Sequence, residues 1–185
     1  MTYDETAYLK RVSLLSRPAR VAWASGAAEL LWPTATRLRA DILNSSDTEL
    51  LRTELDNAWS FAEGKTPNAG GAAMAEQMIP DDEVEGFDLQ HGLLQRVAAS
   101  VAYATRCSTS GEAQDGVWAW RQVEEIVDVA RQDRADRHEP DRSGLPDVGV
   151  IIPEYLSMLG NGQIETFRMA LRTRAAPLSR ALVPD

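Results

Sequence analysis

Few residues in this chain are of the types that carry metal or cofactor chemistry. The histidines are His91 and His138. They lie far apart in sequence, and neither has a Glu or Cys at the helical spacing that metal ligands use. No glycine-rich stretch combines a preceding strand with the lysine that a phosphate-binding loop needs. We therefore expect no metal and no cofactor.

The acidic run that begins at Asp81 superficially resembles the start of a calcium-binding loop. Asp81, Glu83 and Glu85 stand at alternate positions and Gly86 follows them, as in the first half of such a loop. Position 12, however, is Gly92 instead of the carboxylate that closes the site. The run is interpreted as an acidic surface loop.

The candidates for catalysis are equally weak. Cys107 is the single cysteine. It ends an apolar helical segment without a neighbouring histidine, as structural cysteines commonly do. Glu124 and Asp128 are four residues apart and share a helix face, but such pairs usually lie in water, where nothing raises a carboxyl pKa. The sequence thus predicts that this protein is not an enzyme.

The composition limits the partners and the location that can be expected. The net charge of -9 and the pI near 4.8 disfavour nucleic acid as a partner, since DNA affinity depends on Lys and Arg. No segment reaches the roughly 18 consecutive apolar residues of a membrane span, and the N-terminus lacks the apolar core of a secretory signal. With one cysteine and no disulfide framework, the cytoplasm is the expected location.

The negative charge is concentrated between residues 41 and 90. This block has twelve acidic residues against Arg52 and Lys65, so that it carries essentially all of the net charge. If the block folds onto one side, it creates a face that attracts a basic protein. The acids expected to bind that partner are Glu54, Asp56, Asp81, Asp82, Glu83, Glu85 and Asp88.

Apolar residues recur at helical spacing along nearly the whole chain. The pattern predicts an all-α, single-domain bundle over residues 1–185, with about seven to eight helices. The segment 89–107 is unusually apolar and rich in Ala and Ser, which allow close helix approach. It is the predicted central helix.

Prolines mark the predicted helix boundaries. A helix over roughly 17–31 is expected to end at Pro33, since proline lacks the N–H that a continuing helix uses. The next helix is expected to begin with Thr34 as its N-cap. The run VGVII is the one short β-branched stretch, and Pro153 is expected to end it.

One tryptophan stands out as a second partner-binding candidate. Trp118 and Trp120 are two residues apart on a predicted amphipathic helix, so both cannot point into the same core. One of them, taken as Trp118, is expected to be exposed for a partner.

Three short motifs follow one another along the chain, at Glu29 and Pro33, at Leu55 and Trp59, and at Pro153 with Gln163 and Phe167. In this order they resemble the YjaG-like helical family of bacterial proteins. An arginine is missing near the first motif, where Leu30 and Leu31 stand, and Ser60 follows Trp59 where an acid is usual. The resemblance implies an all-helical bundle without an assigned biochemical role, and it supplies no catalytic residue.

Three functional hypotheses remain open. The first is a non-enzymatic binding module, most concretely a small acidic immunity protein that inhibits a basic toxin. The second is a structural or regulatory bundle that forms a homodimer through the Trp118 face. The third is an enzyme with a carboxylate site near Glu124, Asp128 or the acidic loop.

Overall fold

The computed structural model describes residues 3–66, 71–81, 83, 86–136 and 145–183. Its described residues form eight α-helices and no strand, so the predicted all-α fold is confirmed. The helices are α1 (Glu5–Ser13), α2 (Arg17–Ala35), α3 (Ser45–Ala62), α4 (Gly71–Gln77), α5 (Leu89–Ser110), α6 (Ala113–Asp136), α7 (Val148–Gly160) and α8 (Ile164–Leu182).

Two neighbouring helices occupy the middle of the bundle. The predicted central helix, α5, packs against α2, α3, α4 and α6. Helix α2 contacts α1, α3, α5, α6, α7 and α8, and it is buried along almost its whole length. Its Ala, Gly and Ser residues let neighbours approach from every side. The centre is therefore the α2–α5 pair, of which the sequence pattern had indicated only α5.

The prediction that Pro33 ends its helix is wrong. Helix α2 continues through Pro33 to Ala35, and Thr36 follows as the C-cap. Proline removes one helical N–H near the end of α2, where the buried Thr34 and Ala35 still gain from packing. Residues 36–44 form turns, so the expected helix that Thr34 was to cap is absent.

Pro153 is likewise inside a helix and does not end one. The VGVII run forms the start of α7, where the Asp147 side chain accepts a hydrogen bond from the amide of Gly149. Ile152, Tyr155 and Leu159 then recur at helical spacing on the buried face. This long-range burial outweighs the β-preference of the branched residues.

Large aromatic rings fill the space between the helices. Trp23 of α2 stacks on Trp120 of α6 with ring centroids 4.5 Å apart, and the Trp120 indole donates to the carbonyl of Trp23 at 2.8 Å. Phe167 of α8 lies between Trp23, Trp59 and Tyr155, at centroid distances of 6.4, 6.3 and 5.2 Å. Trp120 is thus the buried member of the tryptophan pair.

Within the described part of the chain, no helix has the length and apolar character to cross a membrane.

Gly26 provides the space that the aromatic cluster requires. A Cβ atom there would lie 2.8 Å from Cε1 of Phe167 and 3.0 Å from Leu171, and the surrounding rings prevent Phe167 from moving away. We expect Gly26→Ala to lower the free energy of unfolding by about 1–3 kcal/mol, measured by urea denaturation.

Gly160→Ala is the matched control, because a Cβ on Gly160 of α7 meets no atom within 4 Å. This variant should be as stable as the wild type or slightly more so. Equal stability of the two variants would contradict the close packing at Gly26.

Candidate partner-binding face

The predicted acidic residues are distributed unequally between surface and interior. Asp81 and Glu83 are exposed, and neither forms an ion pair with another described residue. Asp82 and Glu85 lie outside the described residues. Only part of the predicted acidic face can therefore be located on the structure.

Asp88 is the N-cap of α5. Its carboxylate accepts a hydrogen bond from the backbone amide of His91 at 3.1 Å, and Arg39 donates to it at 3.0 Å. The hydrogen bonds from His91, together with Arg39, lower the pKa of Asp88 to about 2. The negative charge of Asp88 holds the start of α5 in place.

Two of the predicted binding acids do not offer a free charge to a partner. Glu54 is only 6% exposed, because it lies on the side of α3 that packs into the bundle. Asp56 forms a two-point ion pair with Arg52 on the same helix. The expectation that Glu54 contributes to an open binding surface is therefore wrong, whereas Asp56 is exposed beside Arg52.

Trp118 is half-buried beneath an arginine. The guanidinium of Arg106 lies 5.5 Å from the Trp118 ring centroid and 4.9 Å from that of Tyr103. Asp115 holds Arg106 with a 2.6 Å contact. Trp118, Tyr103 and Arg106 thus form a cluster of aromatic and cationic side chains on the surface of α5 and α6, which we call the Trp118 pad.

An apolar groove lies at the opposite end of the same helix pair. It has a volume of about 360 Å³. Leu93 and Ile126 are buried and form its floor, while Leu89 and Val129 line it with exposed fractions of 45% and 50%. Exposure of two aliphatic side chains beside one concave site is a typical feature of a binding surface.

The groove and the Trp118 pad lie on one face of the α5–α6 pair. Residues 118, 122, 125 and 129 follow each other at helical spacing on α6. Between the two ends, Arg96 of α5 contacts Glu125 at 2.8 Å and Gln122 at 3.1 Å. The rise of an α-helix places Trp118 and Val129 roughly 16 Å apart. We call this surface the α5/α6 face.

The acidic segment begins and ends beside the groove. The carbonyl of Pro80 accepts a hydrogen bond from Gln95, which lines the groove. Phe87 and Asp88, at the other end of the segment, also line it. The exposed acids Asp81 and Glu83 therefore lie one and three residues after a proline that is hydrogen-bonded to a groove residue.

Sequence analysis did not identify Leu89 and Val129 as binding residues. The exposure of Val129 could have been predicted, because it directly follows Asp128 and lies four residues after Glu125 on the predicted amphipathic helix. The exposure of Leu89 could not have been predicted, because an apolar residue at the start of an apolar helix is expected in the core.

A second polar cluster lies in the interior, around Glu29. The Glu29 carboxylate accepts hydrogen bonds from the Trp59 indole at 3.0 Å, from Arg52 at 3.2 Å and from Arg172 at 2.8 Å. Arg168 stacks on the Trp59 ring at 4.6 Å. The cluster ties α2 to α3 and α8, and these hydrogen bonds engage both oxygens of the carboxylate.

The remaining catalytic candidates are occupied or inert. Burial raises the pKa of the Cys107 thiol to about 12, which keeps it protonated and unreactive. Burial also raises the pKa of Glu124, but its carboxylate accepts a 2.7 Å hydrogen bond from the Tyr3 amide. Asp128 is exposed and contacts Arg131 at 3.3 Å.

Metal ligands do not converge in the described residues. Over these ranges, no group of three or more His, Cys, Asp or Glu side chains could hold an ion. His91 belongs to the α5 capping box, and His138 lies outside the residues that the structure describes.

Comparisons with known proteins gave no relative. No protein-family model, no curated protein and no solved structure matches the chain.

The Glu29 cluster yields a stability prediction. Glu29→Ala removes the shared acceptor and leaves the buried Trp59 indole N–H without its partner, so we expect a loss of about 2–3 kcal/mol in the free energy of unfolding. Glu29→Gln, which keeps an acceptor oxygen, should lose less. Urea denaturation measures both.

Glu49→Ala is the control, because Glu49 is an exposed acid on α3. Its effect should stay within about 0.5 kcal/mol. If Glu29→Ala were as mild as the control, Glu29 would not hold the helices together.

Proposed function

We propose that this protein is a non-enzymatic binding module whose α5/α6 face binds a basic protein. Its most concrete form is a small acidic immunity protein that neutralises a basic toxin. The observation that carries the proposal is the exposed apolar groove of Leu89 and Val129, together with the exposed acids Asp81 and Glu83 that follow Pro80, whose carbonyl is hydrogen-bonded to the groove residue Gln95.

The two parts of this surface contribute differently to binding. Burial of apolar surface in the groove supplies affinity, at roughly 25 cal/mol per Å² before the costs of association. The acids supply orientation and a faster encounter with a positively charged protein. An inhibitor benefits from both, because it must find its target quickly and release it slowly.

A second copy of this chain is the main rival occupant of the face. The protein carries a net charge of -9, and pairing the two acidic segments would place like charges side by side. This repulsion favours a basic partner over a homodimer built on the Trp118 face. Sedimentation that showed a dimer, and its dissociation by Val129→Gln, would reverse that preference.

An enzyme with a carboxylate site is the weaker alternative. Glu124 is engaged by the amide of Tyr3, and Asp128 is exposed beside Arg131. The contact with Tyr3 indicates a structural role for Glu124, whereas Asp128 lies at the exposed surface of α6.

Cytoplasmic location and the resemblance to the YjaG-like family stay predictions. Both agree with an immunity protein acting inside a bacterial cell, although neither is needed for the binding proposal.

The first test of the proposal uses the basic proteins encoded beside this gene. We expect one of them to bind the wild-type protein and to lose its toxicity when both are expressed together. Val129→Gln should weaken that binding about tenfold, because it places a polar group in the groove. Isothermal titration calorimetry measures the change.

Val150→Gln is the matched control, since Val150 is an exposed valine on α7 outside the groove. It should bind like the wild type. If no basic neighbour binds, or if both valine variants bind equally well, the proposal is wrong.

The second test concerns the acids. Asp81→Asn combined with Glu83→Gln should lower the association rate about fivefold at low salt and reduce its dependence on ionic strength. Stopped-flow fluorescence with the same basic protein measures this rate.

Glu112→Gln combined with Glu165→Gln changes the net charge by the same amount at two exposed positions elsewhere. This control pair should have a smaller effect. An equal effect would show that only total charge matters, and that the partner does not approach Asp81 and Glu83.

A further inference from the structure

We infer that the basic partner uses a second apolar anchor, bound in the cavity between α3, α4 and α5. The inference rests on the proposed function and adds where the rest of the interface lies. It assigns to one partner two neighbouring concave sites at the start of α5.

The second cavity is similar in size to the groove, at about 380 Å³. Leu50 of α3 and Leu94 of α5 provide apolar walls, and Met74 of α4 lines the cavity with 44% of its surface exposed. Asp47 and His91 add polar groups. Polar and apolar groups contribute in similar measure to its lining, which suits one inserted apolar side chain together with a cationic neighbour.

The two concave sites are neighbours. Pro80 lines the cavity, and its carbonyl accepts the 3.2 Å hydrogen bond from Gln95, which lines the groove. His91 lines the cavity, whereas Asp88 and Gly92, on the same first turns of α5, line the groove. A partner that covers the start of α5 therefore contacts both sites.

Three exposed apolar side chains lie at these sites. Leu89 and Val129 line the groove and Met74 lines the cavity. The other large exposed apolar side chains among the described residues line neither of them; they are Leu14, Val150 and Met169. The three that line the sites share the region around the start of α5, and neighbouring exposed apolar groups beside concave sites are a feature of binding surfaces.

The required interface area and the charge together identify the occupant. A stable protein complex buries about 800 Å² on each partner, more than a single groove for one or two side chains provides. Asp81 and Glu83 follow Pro80, and Asp47 lines the cavity. The complementary surface therefore has two apolar anchors with basic residues near them, which is a folded basic protein.

Substitution of Met74 tests the second apolar anchor directly. Met74→Gln keeps the length and neutrality of the side chain but removes its apolar character. We expect it to weaken binding of the basic partner about tenfold, and the double variant with Val129→Gln to weaken it further. Isothermal titration calorimetry provides the dissociation constants.

Met169→Gln is the matched control, because Met169 is 61% exposed on α8 and lines neither site. It should bind like the wild type. If Met74→Gln equals this control while Val129→Gln still weakens binding, the second anchor is wrong and the proposed function stands. If neither Met74→Gln nor Val129→Gln weakens binding, both are wrong.

A measurement on the wild-type protein covers the case in which Met74→Gln unfolds the short helix α4. The ε-methyl signals of Met74 and Met169 are followed by NMR with a soluble paramagnetic agent. Binding should protect Met74 and leave Met169 as accessible as before. Equal attenuation of both methyl groups in the complex would overturn the inference.

Discussion

The packing of aromatic rings against glycines sets how closely the helices of this protein approach one another. Phe167 of α8 lies directly over Gly26 of α2, and Trp23 of α2 lies over Gly116 of α6. Each ring occupies the volume that a Cβ atom would need. Because α2 takes part in both contacts, the positions of α6 and α8 are fixed relative to α2. The position of α6 in turn determines the α5/α6 face.

The interior polar groups strengthen the same arrangement. Glu29 joins three helices through Trp59, Arg52 and Arg172, and a buried carboxylate with several charge-assisted hydrogen bonds is a strong constraint on geometry. Since these partners satisfy its charge, the cluster stabilises the bundle. The exposed apolar side chains Leu89 and Val129 and the exposed acids Asp81 and Glu83 lie at or near the start of α5, which is why the functional proposal concerns the surface.

The predictions from sequence succeeded where local pattern and burial agree. Leu94, Val97 and Val101 repeat at helical spacing and are all buried, so α5 was predictable with almost its correct bounds. The predictions failed at Pro33 and Pro153, where the helix continues through the proline because packing outweighs the helix-breaking preference of proline. The acidic face was predicted as a block of sequence, but Glu54 turns inward and Asp56 pairs with Arg52.

The sequence by itself determined the all-α class and the segment that carries the acidic charge, because helical periodicity and composition are local properties. It also indicated that Trp118 and Trp120 must point to different sides of α6. Only the tertiary structure decided that Trp120 is the buried one, that Glu29 meets Trp59, and that Leu89 and Val129 share a groove. Those facts depend on which helices pack together, and the free energy of packing comes from contacts between residues far apart in the chain.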